Sequence, residues 1–495
     1  TAANTNDFYT GRGTINNSGT WIDDNAFGTV IRDWYAGDPL VFNNSGTYRK
    51  QGGGTTTLEL VFNNPGAIDV VAGILDLVRG GANTGSIAIA DGAQLGLLGG
   101  AHAWNTGTTL SGSGALVVGG SGANAATLAV AVNVSVDHLT LTGAATLSGN
   151  GTLTLTGTGS QWVGGVMGGG GITRIASGAD LTVAGASRKF LNERTIRNEG
   201  TLIEASTGDI LDYGGAAILD NVGLFDIRAD QGWQDFSGAA GALTINNSGT
   251  IRKSAGASDF TFIDTTLNNT GVIASQSGRL TFGGGGVSSG QFTTVTGSSI
   301  AFWQGTQTWQ DGASATGAGA IVLMSLSGST SGTLAVEGTA SIARLDIEGL
   351  GNLSGAGTLT ITGTGSTWTG GTMGGGGTTR IASGADFTVS GTARKFLNAR
   401  TIRNEGTLIE SSTRNLLDYG GAAILDNVGL FDIRGDQSWQ NFTGAAGTLT
   451  INNSGTIRKS AGPGDFTFFN TTLNNSGTVQ ALVGQLNIGG TIFLP

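Results

Sequence analysis

Ile245-Asn246-Asn247-Ser248-Gly249-Thr250-Ile251 returns residue for residue as Ile451-Asn452-Asn453-Ser454-Gly455-Thr456-Ile457. Inside this heptad is a looser pattern: a large apolar residue, Asn two positions on, Gly two beyond that, and a second large apolar residue two further. The pattern occurs eleven times, with its asparagine at Asn17, Asn44, Asn64, Asn198, Asn221, Asn247, Asn269, Asn404, Asn427, Asn453 and Asn475. Its glycines at Gly200, Gly223, Gly249 and Gly271 step by 23, 26 and 22 residues. That step is too short for a helical pair and suits one coil of a solenoid of short strands. The expected fold is all-β: a parallel β-helix with about 22–26 residues per coil, in which equivalent positions stack about 4.8 Å apart.

The chemistry of the motif supports stacking. The leading apolar column reads Ile196, Leu219, Ile245, Leu267 and the trailing one Leu202, Phe225, Ile251, Ile273, each repeated in the later copy. Strand side chains alternate between faces, so both columns point to the interior and each rung covers the one beneath. Asn lies between them, where a corner is needed. It tolerates a left-handed backbone, and its amide can bond the next Asn in line, which predicts a buried ladder along one corner. The following Gly permits positive φ or close backbone approach.

Composition fits this reading. The 495 residues include 90 Gly, only 4 Pro and no Cys, and 12% are charged. The chain therefore turns often, has little solvated helix and has few breaks in its strand pairing. A hydrophobic content of 38% in periodic Ile, Leu, Val and Phe argues against disorder. Absence of Cys excludes disulfides, thiolate metal sites and cysteine nucleophiles. No stretch approaches the roughly 18 apolar residues of a membrane-spanning helix. A formal net charge of −10 argues against a nucleic-acid partner. The chain starts at Thr1 without an initiator Met, the mark of a processed protein or an excerpt of a longer one.

A longer period overlies the short one. The segment from Gly151, GTLTLTGTGSQWVGGVMGGGG, returns from Gly357 as GTLTITGTGSTWTGGTMGGGG, an offset of 206 that also relates Phe190 to Phe396 and Trp233 to Trp439. A diverged, shortened copy precedes them: SGTYRK at Ser45 matches SGTIRK at Ser248, and Trp104 matches Trp309. The expected organisation is one continuous rod made of a diverged copy (1–150), a full copy (151–356) and a truncated copy (357–495).

Segments such as LSGNGTLTLTG, LSGAGTLTITG, SGADLTV, SGADFTV and INNSGTI resemble the repeats of Gram-negative surface proteins, namely autotransporter passengers and filamentous-haemagglutinin-like adhesins. The resemblance covers nearly the whole chain and is one of repeat style. It implies a right-handed parallel β-helix, secreted or displayed on a bacterial surface, with roles in adhesion, aggregation or fibre building. Partners would be cell-surface glycans or proteins, or copies of the chain itself. No secretion domain or membrane barrel is recognisable.

The internal copies test each candidate for chemistry. His102 and His138 are replaced by Gln307 and Arg344 at the matching positions, so surface imidazoles are expected rather than catalytic ones. Asp212, Asp220, Asp226, Asp230 and Asp259 recur as Asp418, Asp426, Asp432, Asp436 and Asp465, and Glu199 and Glu204 as Glu405 and Glu410. An active site is normally needed once, whereas a turn or cross-rung ion pair is copied with the fold. These carboxylates therefore read as structural, and no cofactor is expected. Ca²⁺ between rungs is a minor alternative that lacks the nonapeptide signature of calcium-binding coils. Arg188, Lys189, Arg194 and Arg197, repeated as Arg394, Lys395, Arg400 and Arg403, should pair with carboxylates on neighbouring rungs, the alternative being a contact surface for anionic glycans. The glycine runs at Gly168 and Gly374 lack a following Lys-Ser or Lys-Thr and are not phosphate loops. Trp162, Trp368, Trp233 and Trp439 are expected in the core rather than stacked on sugars. The leading expectation is a non-enzymatic adhesive or fibre-forming rod; the alternative is a carbohydrate-active β-helix such as a lyase or tailspike.

Overall fold

The computed structural model describes residues 8–10, 13–33, 40–235, 243–256, 261–326, 328, 330–419, 421–441, 449–462 and 466–494. Asp259 and Asp465 lie outside the described residues. The protein is an all-β parallel β-solenoid of about 19 turns with about 22 residues per coil. Among the described residues there are 67 short strands and a single three-residue 3₁₀ turn, Gly122–Asn124. No helix is long and apolar enough to cross a membrane. The chain divides into two compact units, Thr1–Ile251 and Arg252–Pro495.

In each unit a strand pairs in parallel with the strand three places along the chain, so one turn contributes one strand to each of three faces. The apolar columns stack as the motif requires. In the first unit Ile196 is opposite Leu219 and Leu219 opposite Ile245, all fully buried. In the second, Leu408, Phe431 and Ile457 form the same kind of stack. Each rung removes its neighbour's like-sized side chain from water, a gain of roughly 1.5–3 kcal/mol per large side chain before the entropy of ordering is subtracted.

Where turns stack beneath it, the glycine after a ladder asparagine is needed for close approach, not for positive φ; among those described, a Cβ would meet nothing only at Gly19. At Gly223 a Cβ would lie 2.3 Å from Gly200 O, and at Gly429 it would lie 2.3 Å from Gly406 O. None of the ladder glycines or asparagines has positive φ; among described non-glycine residues only Glu193 and Ala399 do, at 59° and 56°. The corner asparagines are thus selected for their amides.

The asparagines do not share one corner. In the first unit, Asn17 donates Nδ2 to Asn44 Oδ1 (2.7 Å), Asn44 to Asn64 (2.7 Å) and Asn64 to Asn83 (2.6 Å). A second run, Asn198 to Asn221 to Asn247, has 2.7 Å at each step but closes a different face of the same unit. Strand Thr244–Asn247 is the counterpart of Val41–Asn44 and stands 28 strands later. Nine turns of three strands account for 27, so the copy overshoots by one strand and its ladder moves to the next corner. The second unit repeats the separation: Asn269 donates to Ser288 Oγ (3.1 Å) in one sheet, whereas Asn404, Asn427, Asn453 and Asn475 link at 2.7 Å per step in another.

Candidate functional site

The interior carries more charge than the motif suggests. Arg194 and Arg400 are fully buried, and neither reaches a carboxylate. Arg400 donates Nε to Thr379 Oγ1 (2.8 Å), Nη1 to the carbonyls of Ser354 (3.3 Å), Gly355 (3.2 Å) and Gly374 (2.9 Å), and Nη2 to Thr378 O (3.3 Å). Arg194 repeats this with Thr173, Gly149, Gly168 and Ile172. The glycine runs make the cage: a Cβ on Gly171 would meet Gly151 O at 2.4 Å and Arg194 Nη1 at 3.1 Å. Burial lowers both guanidinium pKa values to about 10. The left-handed Glu193 and Ala399 immediately precede these arginines. The expected salt bridges for Arg194 and Arg400 are therefore replaced by carbonyl cages, because the side chains point inward where no acid stands.

Lys189 and Lys395 are also buried, and desolvation lowers their pKa against the charges of Glu204 and Glu410, which raise it. Each of these glutamates accepts bonds from a serine, Ser206 or Ser412, and from a tryptophan Nε1, Trp233 at 3.3 Å or Trp439 at 2.9 Å. Burial raises both carboxyl pKa values. The tryptophans are core residues, as are Trp162, Trp309 and Trp368.

Of the exposed basic residues expected to pair, Arg197 and Arg403 do form cross-rung pairs, whereas no ion pair among the described residues involves Arg188 or Arg394, which lie just before their strands. Arg174 binds Glu199, and Arg197 joins Glu199 (2.7 Å) to Asp220 (2.5 Å) on the following strand. Arg380, Arg403, Glu405 and Asp426 reproduce the chain of pairs. Hydrogen bonds from Arg380 and Arg403 pull the Glu405 carboxyl down to about 2. Asp226 pairs with Arg228 (2.7 Å), Asp432 with Arg434 and Arg458, and Asp436 with the buried Lys459 (2.6 Å). Asp230 takes part in interactions of its own. Glu199, Asp220 and Asp226 thus have the same kinds of partner as Glu405, Asp426 and Asp432.

His138 is a surface residue with Nδ1 3.0 Å from Asp137 Oδ2. His102 is not: it is 4% exposed, Nε2 lies 3.0 Å from Gly99 O, and desolvation lowers its pKa to about 4. Its strand turns the ring into the interior, opposite Leu128 on the next rung. A neutral buried imidazole contributes stability in full above its unfolded pKa near 6.5, and the contribution falls as pH drops toward 4. The expected loss is about 3 kcal/mol across that window. His102→Gln, the residue found at Gln307, should flatten this acid limb: thermal melts at pH 7.0 and 4.5 should differ less in the variant than in the native chain. Equal acid destabilisation in both would refute the assignment.

One outward feature is not absorbed by structure. In the second unit, strands Lys395–Leu397, Leu416–Asp418 and Trp439–Asn441 stack in register, with Phe396, Leu417 and Gln440 in the outward column. Beside them lies a groove of about 340 Å³ lined by Arg394, Arg414, Asn415, Leu417, Gln437, Gln440 and Asn441. Phe396 packs edge-on against Tyr419, centroids 5.5 Å apart, and Tyr419 is 55% exposed. The first unit keeps the frame, with Phe190 against Tyr213 at 5.6 Å. Around that frame the polar residues differ: Arg414, Asn415 and Asn441 correspond to Gly208, Asp209 and Asp235. Asp235 faces Asp212 in register. Burial, then the Asp235 charge, raises the Asp212 carboxyl against backbone N–H groups of Ala217, Gly215 and Gly214 that favour ionisation.

Among the described residues no group of three or more His, Cys, Asp or Glu side chains is arranged to hold a metal ion. The motif search missed Asn83, Thr108 and Ser288, which extend the ladders, since a hydroxyl can end a row of amides. It also missed the groove, whose members come from three successive turns and share no local spacing. Comparison with protein-family models, curated proteins and solved structures returns no match.

Proposed function

We propose that the chain is a non-enzymatic structural and adhesive element of a bacterial surface or secreted protein, presenting its outward faces to glycans, cells or copies of itself. One observation carries the reading. An outward Phe and Tyr pair is kept in both copies while the polar residues at the groove positions change charge, the pattern of a contact surface varied on a constant scaffold. Bacterial surface location rests on the resemblance of the repeats. A strand-based solenoid suits it, because each rung is held by its neighbours without disulfides.

The second reading, a carbohydrate-active β-helix, has one point in favour: Asp212 and Asp235 are neighbouring carboxyls present in one copy only, with Asn441 replacing the second. Against it, Asp212 is fully buried and a catalytic carboxyl must touch the scissile bond. The purified chain incubated with immobilised and soluble polysaccharides separates the readings. Retention on a polysaccharide without change in its chain length is expected. Catalytic appearance of reducing ends or unsaturated fragments would replace the adhesive reading with the enzymatic one.

A further inference from the structure

We infer that the groove of the second unit is a binding site for an acidic saccharide, a sugar bearing carboxylate or sulfate groups. The inference rests on the adhesive reading above and names the surface that would carry it.

The chemistry starts with two exposed guanidiniums, Arg394 and Arg414, on the rim of one cavity. Several acids of this unit are engaged elsewhere: Glu405 and Asp426 with Arg380 and Arg403, Asp432 with Arg434 and Arg458, Asp436 with Lys459; Asp418, in register with Asn441, is fully buried and does not line the cavity. No ion pair among the described residues joins a carboxylate to Arg394 or Arg414. A guanidinium presents a planar fork that matches a carboxylate or sulfate in two parallel hydrogen bonds. Such a pair in a chain of net charge −10 is a local departure, not a reflection of general charge.

The cavity between them is lined by amides. Asn415 Oδ1 accepts from Ser438 N (3.1 Å), and Asn441 Oδ1 accepts from Leu449 N (2.7 Å). These bonds fix both side chains through their oxygens and leave the Nδ2 groups as the donors for sugar hydroxyls. Gln440 stands opposite Leu417 in register, and both line the cavity. One apolar side chain, Leu417, among amides and guanidiniums suits a pyranose that is apolar on one face and polar at its edge. The volume of about 340 Å³ falls within the roughly 300–1,000 Å³ of small-ligand sites.

The first unit is an internal control. Its equivalent surface has Gly208, Asp209 and Asp235 for Arg414, Asn415 and Asn441, so one cation is gone and two anions are added. Asp209 there accepts from Gly232 N (3.2 Å), as Asn415 does from Ser438 N, so the change alters charge while the local bonding is kept. An arginine at position 208 is excluded by the backbone, since a Cβ on Gly208 would lie 2.5 Å from Ala186 O. One acidic-saccharide site per chain is therefore expected, in the second unit.

The test is calorimetric titration of the full chain with oligogalacturonate, dextran sulfate, neutral dextran and polyglutamate. Binding of at least one of the two acidic saccharides, at one site per chain and more than about tenfold tighter than either control, is expected; which of the two it is identifies the anionic group. The triple variant Arg414→Gly, Asn415→Asp, Asn441→Asp installs the residues of the first unit and should abolish that binding. The surface pair Arg394→Gln, Arg414→Gln serves the same purpose should the triple variant melt early, with a loss of about tenfold or more expected. Failure of the native chain to bind either acidic saccharide, equal binding of polyglutamate or dextran, or native affinity in a folded variant would overturn the assignment. If the variants still adhere to cells or other polysaccharides, the adhesive reading stands and the groove assignment alone falls.

Discussion

Replacing Asn427 with Leu is expected to destabilise the second unit by about 3–5 kcal/mol, although the new side chain is apolar and the site is fully buried. The amide is a relay. Its Oδ1 accepts from Asn404 (2.7 Å), and its Nδ2 donates to Asn453 Oδ1 (2.7 Å) and to Thr456 O (3.1 Å). Leucine leaves an acceptor on Asn453 and a backbone carbonyl without this donor, and it removes one of the two acceptors of Asn404, whose other bond goes to Leu430 O. Each buried polar group so stranded costs about 1–3 kcal/mol, partly offset by the transfer of the leucine out of water. Asn427→Ser should lose less, about 1–2 kcal/mol, because Ser288 and Thr108 end other ladders with a hydroxyl. Amide hydrogen exchange across strands Thr401–Asn404 to Thr472–Asn475, together with urea melts, reads both variants. A Leu variant as stable as the native chain would mean the amide row is ornament and the apolar columns alone hold the turns.

Arg400→Met should be nearly as damaging, at about 3–4 kcal/mol, and its origin is different. The guanidinium binds acceptors on the preceding turn, Gly374, Thr378 and Thr379, and on the turn before that, Ser354 and Gly355, so one side chain fastens three turns. Hydrogen bonds from a charged donor contribute about 1.5–3 kcal/mol each. Desolvation of a lone cation opposes them, as the depressed pKa of about 10 records. The net remains favourable because five acceptors share the charge. Arg400→Lys should recover little, since an ammonium on a flexible stem cannot address Thr379 Oγ1 and carbonyls of two turns together. Gly377→Ala should approach the Met variant from the other side of the cage, since its Cβ would lie 2.3 Å from Gly357 O. Thermal unfolding monitored by Trp368 and Trp439 fluorescence would show the order Met, then Lys, then native. Native-like melting of the Met variant would contradict the cage.

The carboxylates show what internal duplication carries over. Glu204 and Glu410, and Asp220 and Asp426, keep the same partners in both copies. His102 shows the opposite limit. Its replacement by Gln307 suggested a surface imidazole, but a surface position did not follow, since both residues are buried. Drift between copies reports on chemistry and is silent on burial.

The period of the Asn-Gly motif and its flanking apolar columns was enough to specify a parallel β-solenoid, its coil length and the inward face of each strand. Those properties are local: side-chain alternation and corner chemistry act within one coil and repeat in the next. Three things were decided only when the turns stacked. The ladders occupy different corners, because a copy of 28 strands is not a whole number of three-stranded turns. Arg194 and Arg400 lie inside because other turns supply carbonyls that no linear spacing reveals, and Lys189 and Lys395 lie inside because the fold closes local carbonyls, Gly185 and Gly391, over them. The groove exists because Arg394, Asn415 and Gln440, some twenty residues apart in the chain, are brought side by side at the separation of adjacent strands.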